Sequence, residues 1–179
     1  STDDVFVHGL IQMVREYLET VTKRQFNTAT LIYALDNFPD VFSYQWNNRN
    51  WLSYAKRHIN IPRPPLQSVT SVVYQDVNNV QTTLAVSQYG VDILSEPGRI
   101  YLLPGNVWPV TYEIPNAVKV TYVAGWASAE LVPRRLKLVM STIISHMYKN
   151  REATNVNACL EQVPFIKSMI RGMQSITLY

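Results

Sequence analysis

Apolar residues recur at helical spacing along residues 133–151. Leu136, Val139, Met140, Ile143, Ile144, Met147 and Tyr148 form one wide stripe. The pattern predicts a helix roughly 27 Å long at 1.5 Å per residue. Pro133 suits its first turn, where a missing N–H costs nothing. Lys149 and Arg151 suit its last turn, where positive charge complements the helix dipole. Leu138 falls almost opposite the stripe, so this helix has room for a second contact face. A first helix is expected over residues 4–22, with Val7, Leu10, Ile11, Val14, Leu18 and Val21 inward. His8, Gln12, Arg15, Glu16 and Glu19 lie on its other side, Thr2 or Asp3 serves as N-cap, and Lys23 and Arg24 close it. A third, short helix is expected over residues 164–173, with Phe165, Ile166, Met169, Ile170 and Met173 on one side and Gly172 weakening its end.

Between the first helix and the long one the period changes. Residues 26–34 mix β-branched and aromatic side chains and read as a short strand or an extended arm. Residues 61–66, IPRPPL, form a stiff extended connector, because proline fixes its own φ and restricts the residue before it. Residues 68–77 and 80–84 alternate around Asn78-Asn79, the signature of a hairpin. Residues 89–94 and 99–103 make a second pair around Glu96-Pro97-Gly98, and 117–124 is the clearest strand. Five or six such strands imply a small antiparallel sheet or barrel. The chain therefore reads as an α+β protein. A small helical bundle (1–35 and 131–175) carries an inserted β-rich module at about 59–126. The tail 175–179 alternates apolar residues without a place in either part, as a strand seeking an edge elsewhere would.

Residues 36–58 follow neither period. Phe38, Phe42, Tyr44, Trp46, Trp51 and Tyr54 stand among Asn, Arg and Lys. Rings interleaved with basic residues can stack on single-stranded bases, form an exposed protein contact, or fold back on the domain. A protein contact is favoured over nucleic acid. Composition sharpens this: 11 Tyr and 4 Trp are many for 179 residues, and such rings are enriched at protein interfaces. A net charge of +3 is too small to argue for nucleic acid by itself. The single Cys159 excludes an internal disulfide framework and fits a reducing compartment. No stretch reads as a signal peptide, and no apolar run is long enough to span a membrane.

Catalytic constellations are missing from the sequence. His8, His58 and His146 are far apart, with no acidic companion at metal-ligand spacing. Cys159 has no histidine near it in sequence. No nucleophile elbow, phosphate-binding glycine loop or dinucleotide fingerprint occurs, and Asp36, Asp40, Asp76 and Asp92 sit in turn-like contexts. No cofactor or metal is expected. A hydrolase built on Cys159 or His58 is the weakest reading, and a nucleic-acid module based on residues 36–58 is stronger.

The order of motifs resembles a known family. The first helix ends in Thr22-Lys23-Arg24, similar to a family T-G-R with lysine in place of glycine. Residues 65–76, PLQSVTSVVYQD, match its P-L-x-S-V-x-S-V-x-Y-x-D run. Tyr89-Gly90-Val91-Asp92 and Gly98-Arg99-Ile100-Tyr101-Leu102 follow. Trp108-Pro109 precedes residues 118–126, VKVTYVAGW, and Val132-Pro133 opens the long helix, which ends in Tyr148-Lys149-Asn150-Arg151-Glu152. Together these resemble the head–tail connector (adaptor or head-completion) proteins of tailed bacteriophages and gene transfer agents. The match runs from residue 3 to about 165, although segment 36–58 is longer than the family's usual link and the helix that commonly precedes residue 1 is not seen. The resemblance implies a non-enzymatic virion protein at the portal vertex. It would form a dodecameric ring of its own copies that binds the portal protein, extends the channel for double-stranded DNA without reading sequence, and docks a tail or stopper. A stopper or tail-completion protein is the nearest alternative. Under this resemblance Trp46, Trp51, Tyr54 and Leu138 are expected between subunits. Arg171 with Ile176, Thr177, Leu178 and Tyr179 is expected to reach the portal.

Overall fold

The structure is a computed structural model that describes residues 2–39, 58–150 and 164–174. Three helices form one half: α1 (Thr2–Thr22), α2 (Arg134–Lys149) and α3 (Pro164–Arg171). α1 buries Leu10, Val14 and Leu18, four residues apart, against Leu136, Val139, Ile143 and Met147 of α2 and Ile166 and Ile170 of α3. Phe6 near the start of α1 meets Tyr148 near the end of α2, with ring centroids 6.3 Å apart, so the two helices run antiparallel. The predicted inward set was nearly right. Ile11 is instead exposed, because α2 and α3 cover a narrower track along α1 than the periodicity suggests. Glu19, expected in solvent, is buried: its carboxylate accepts the Phe26 N–H at 2.8 Å and the Gln25 side-chain amide at 3.2 Å. The chain folds back under the end of α1, and this acid holds the return.

The other half is a β module of seven strands among the described residues: β1 (Ala29–Leu35), β2 (His58–Ile61), β3 (Leu66–Gln75), β4 (Gln81–Thr83), β5 (Tyr89–Asp92), β6 (Gly98–Leu102) and β7 (Val118–Ala124). All their pairings are antiparallel. They make two sheets, ordered β1-β7-β3-β4 and β2-β6-β5, instead of the single sheet or barrel expected. Val118, Val120, Tyr122 and Ala124 of β7 face inward at alternate positions, as the period of a strand requires. They share one core with Val72, Ile59, Ile61 and Ile100, so the inner faces of both sheets meet there. The sequence had not shown β2: four residues are too few to display a period, and pairing of Ile59 opposite Ile100 makes this strand. Residues 29–35 resolve the choice between strand and arm, since β1 pairs with β7 along its whole length as an outer strand.

The two halves join around Gly125 and Trp126. Gly125 has φ +106°, and a Cβ there would lie 2.3 Å from the Asn27 carbonyl oxygen, so glycine is required twice over. Its N–H donates to the Pro65 carbonyl at 2.9 Å, and Trp126 N–H donates to the Phe26 carbonyl at 3.0 Å. The Trp126 ring packs on Phe26, with centroids 5.5 Å apart. The stiff connector is clamped too: Pro64 accepts the Gln25 N–H, and Pro62 accepts the hydroxyl of buried Tyr122 at 3.1 Å. Arg24 ties three elements together. Its guanidinium donates to Glu96 beyond β5 at 2.6 Å and to the Met173 carbonyl just after α3 at 2.8 Å.

Candidate functional site

Among the described residues the aspartates singled out from sequence are absorbed into local structure, and Asp40 lies outside those residues. Asp36 accepts the Asn116 N–H, and Asp76 accepts the N–H groups of Asn78 and Val80, bracing the β3–β4 turn. Asp92 accepts from Leu94 and Ser95 N–H, the Ser95 hydroxyl and the Arg99 guanidinium. Those bonds, led by the Ser95 hydroxyl and Arg99, hold its carboxyl well below the usual range. His58 opens β2 opposite Tyr101. Burial lowers its pKa first, the charge of Arg99 lowers it further, and a hydrogen bond with Asn60 partly opposes both. His146 lies near the end of α2, where its carbonyl accepts the Asn150 N–H. Among the described residues no three metal-ligating side chains come together. Cys159 lies outside the described residues.

What the structure offers instead is exposed apolar surface of two kinds. On the helices it lies along regular faces. Leu138, the predicted second-face residue, is 55 % exposed on the outer side of α2. It continues from Arg134 at i−4 to Ser141 and Ser145 at i+3 and i+7, with exposed Leu131 just before the helix. The Ser141 and Thr142 hydroxyls donate to the Lys137 and Leu138 carbonyls of their own helix at 2.8 and 2.9 Å. α1 shows Val5 at 75 % exposure, with Phe6, Ile11 and Met13 also exposed. In the β module the exposed apolar residues sit mainly at turns. Leu94 is 92 % exposed at the tip between β5 and β6, on the turn that Asp92, Ser95 and Arg99 hold rigid. Val77, Val80, Val107, Val110 and Tyr112 are exposed around the β3–β4 turn and the segment before β7.

Of the other residues singled out from sequence, Arg171 is exposed at the last turn of α3. Trp46, Trp51, Tyr54, Ile176, Thr177, Leu178 and Tyr179 lie outside the described residues. The sequence reading missed the braced Leu94 tip and the α1 face. Ile93-Leu94 after Asp92 was a usable signal, since two large apolar residues in a turn are seldom there for the chain's own core.

No family model and no curated protein matches the chain. Solved structures do. A chain in the neck of an empty gene transfer agent particle computed with C6 symmetry matches with TM-score 0.69 and 17% identity, covering 98% of this chain and 81% of that one. A chain of the virion of a native gene transfer agent particle matches with TM-score 0.71 and 16% identity over 100% of this chain and 81% of that one. A third, in the neck of a native particle computed with C12 symmetry, gives TM-score 0.66 and 18% identity over 97% and 84%. At these identities the likeness is one of fold, and it extends through both halves of the molecule.

Proposed function

We propose that this chain is a virion structural protein, a head–tail connector that assembles as a ring beneath the portal, extends the DNA channel and docks the tail or its stopper. The observation that carries the reading is the fold likeness to neck chains over nearly the full length, helical half and β module together. The motif order from Thr22-Lys23-Arg24 to Tyr148-Lys149-Asn150-Arg151-Glu152 supports it independently. C6 and C12 symmetry in those necks supports a ring of copies, dodecameric in this proposal. The role is mechanical: contacts to passing double-stranded DNA must be weak and unspecific so that it slides.

The proposed portal contact is Arg171 with residues 176–179, and the proposed contacts between copies include Leu138 and the segment carrying Trp46, Trp51 and Tyr54. The test is negative-stain imaging of tailless, portal-bearing capsids with and without added protein. Ring-shaped density at the single portal vertex is the expected result. Bare vertices, with folded protein and intact portals, would overturn the connector role and favour a stopper acting one level lower. Removing residues 176–179 is expected to abolish attachment without altering the fold. Trp51→Ala and Leu138→Asp variants that form rings as well as wild type would remove those residues from the contact between copies.

A further inference from the structure

We infer that in the lone chain the tail 175–179 lies across the turn between β5 and β6, with Ile176 and Leu178 covering Ile93 and Leu94. The inference concerns a single copy and stands apart from the ring reading. Leu94, at 92 % exposure, and Ile93, at 50 %, sit side by side on this turn. The turn that carries them is braced. Asp92 accepts the N–H groups of Leu94 and Ser95 at 3.0 and 3.1 Å and the Ser95 hydroxyl at 2.6 Å. Arg99 donates to the Asp92 carboxylate at 2.7 Å and to the Ser95 hydroxyl oxygen at 2.8 Å. A backbone held this way cannot turn its two apolar side chains inward, so only another segment can take them out of water.

The described chain arrives at residue 174 beside this turn. One guanidinium, that of Arg24, donates through Nε to the Met173 carbonyl at 2.8 Å and through Nη2 to the Glu96 carboxylate at 2.6 Å. Met173 and Glu96 are therefore held one planar group apart, and Glu96 follows Leu94 by two positions. The Gln174 side-chain amide donates to the Val21 carbonyl at 3.1 Å, which fixes where the tail departs. Five extended residues reach at most about 18 Å, well beyond the gap that a single guanidinium bridges.

The tail's pattern matches what the turn offers. Alternate side chains of an extended segment share a side, which groups Ile176 with Leu178 and leaves Ser175, Thr177 and Tyr179 opposite. Two apolar side chains thus meet two. Other exposed apolar sites compete poorly. Val107 follows the far end of β6, a strand of five residues spanning about 17 Å. Leu131 precedes α2, at the end of the bundle where α1 finishes, but its sequence neighbours are Glu130 and half-buried Val132. A tail parked on the turn keeps both apolar pieces covered until a partner competes for them, and under the connector reading that partner is the portal.

The test is disulfide trapping in full-length chains whose single cysteine has been removed by Cys159→Ser. Leu94→Cys with Leu178→Cys should cross-link within one copy on the order of 10-fold faster than Leu131→Cys or Val107→Cys with Leu178→Cys, because only the first pair is held at high effective concentration. Mass spectrometry of the monomer reads the bond, and circular dichroism checks that each variant is folded. Equal rates for the three pairs, or bonds formed only between copies, would overturn the inference. In chains without added cysteines, Leu94→Ser and Leu178→Ser should each lower the melting temperature by about 3 °C. The double variant should lose no more than one of them alone, since each removes the same contact. Additive losses, or none, would also overturn it. Chains that cross-link as expected but whose wild-type form fails to load onto portal-bearing capsids would sink the portal reading and leave this cover standing.

Discussion

The β module fills the space between its two sheets and exposes apolar residues mostly at turns, such as Leu94, Val107 and Val110. The helical half buries a core of comparable kind but leaves Val5, Ile11, Met13 and Leu138 exposed along its helices. The difference follows from shape. A sheet covered on one face by another sheet uses alternate residues inward and is finished. Among the described residues the three-helix layer covers only one side of each helix, so the opposite sides stay exposed. Turn tips suit insertion into a partner's groove, whereas helix faces suit broad packing against a second copy. Ile32 on outer strand β1 is an exception, since it is exposed in the middle of a strand.

The sharpest way to break this comparison is at the joint between the halves. Gly125→Ala forces a left-handed backbone on a residue with a side chain and drives its Cβ into the Asn27 carbonyl. A loss of about 3–4 kcal/mol in denaturant unfolding is expected from strain and overpacking together. Stability equal to wild type would show that the joint relaxes freely and that the halves are not coupled there.

Next comes the contrast within α2. Ile143, fully buried, should lose about 3 kcal/mol on Ile143→Ala. Leu138→Ala on the outer face should change the stability of the lone chain by no more than about 0.5 kcal/mol. Similar losses at both positions would mean that the outer face is already covered within one chain.

In the β module, Tyr122 offers a pH test. Burial pushes its phenol up to about 12. In the unfolded chain a tyrosine titrates near pH 10, so the neutral, buried phenol stabilises the fold fully below about pH 10. That contribution is lost as pH rises toward about 12. Tyr122→Phe should flatten the alkaline limb of stability between those values. At neutral pH it should cost about 1 kcal/mol, through the lost hydrogen bond to the Pro62 carbonyl. An unchanged alkaline limb would assign the loss to other tyrosines.

The smallest effect is expected at Lys23, which has φ +54° directly after α1. Lysine there is strained where glycine is not, so Lys23→Gly should stabilise the chain by about 0.5 kcal/mol. A loss instead would show that the lysine side chain contributes more than its backbone costs.

Much of the fold was legible in the residues alone. The three helices lie within two residues of their expected bounds, because a stripe of apolar side chains at 3.6-residue spacing can be buried only as a helix. β7 was legible for the same reason at a period of two, and the β3–β4 hairpin through Asn78-Asn79, where Asn79 takes φ +60°. Leu138 was legible as an outward-facing residue by its angle on the helix. Such features depend on neighbours a few residues away, and local spacing encodes them. Tertiary structure alone decided the rest. It split the strands into two sheets, made a strand of His58–Ile61, buried Glu19 under the returning chain, and left Gly9 open to solvent. Each of these depends on what distant segments bring to the same place, and no local period records that.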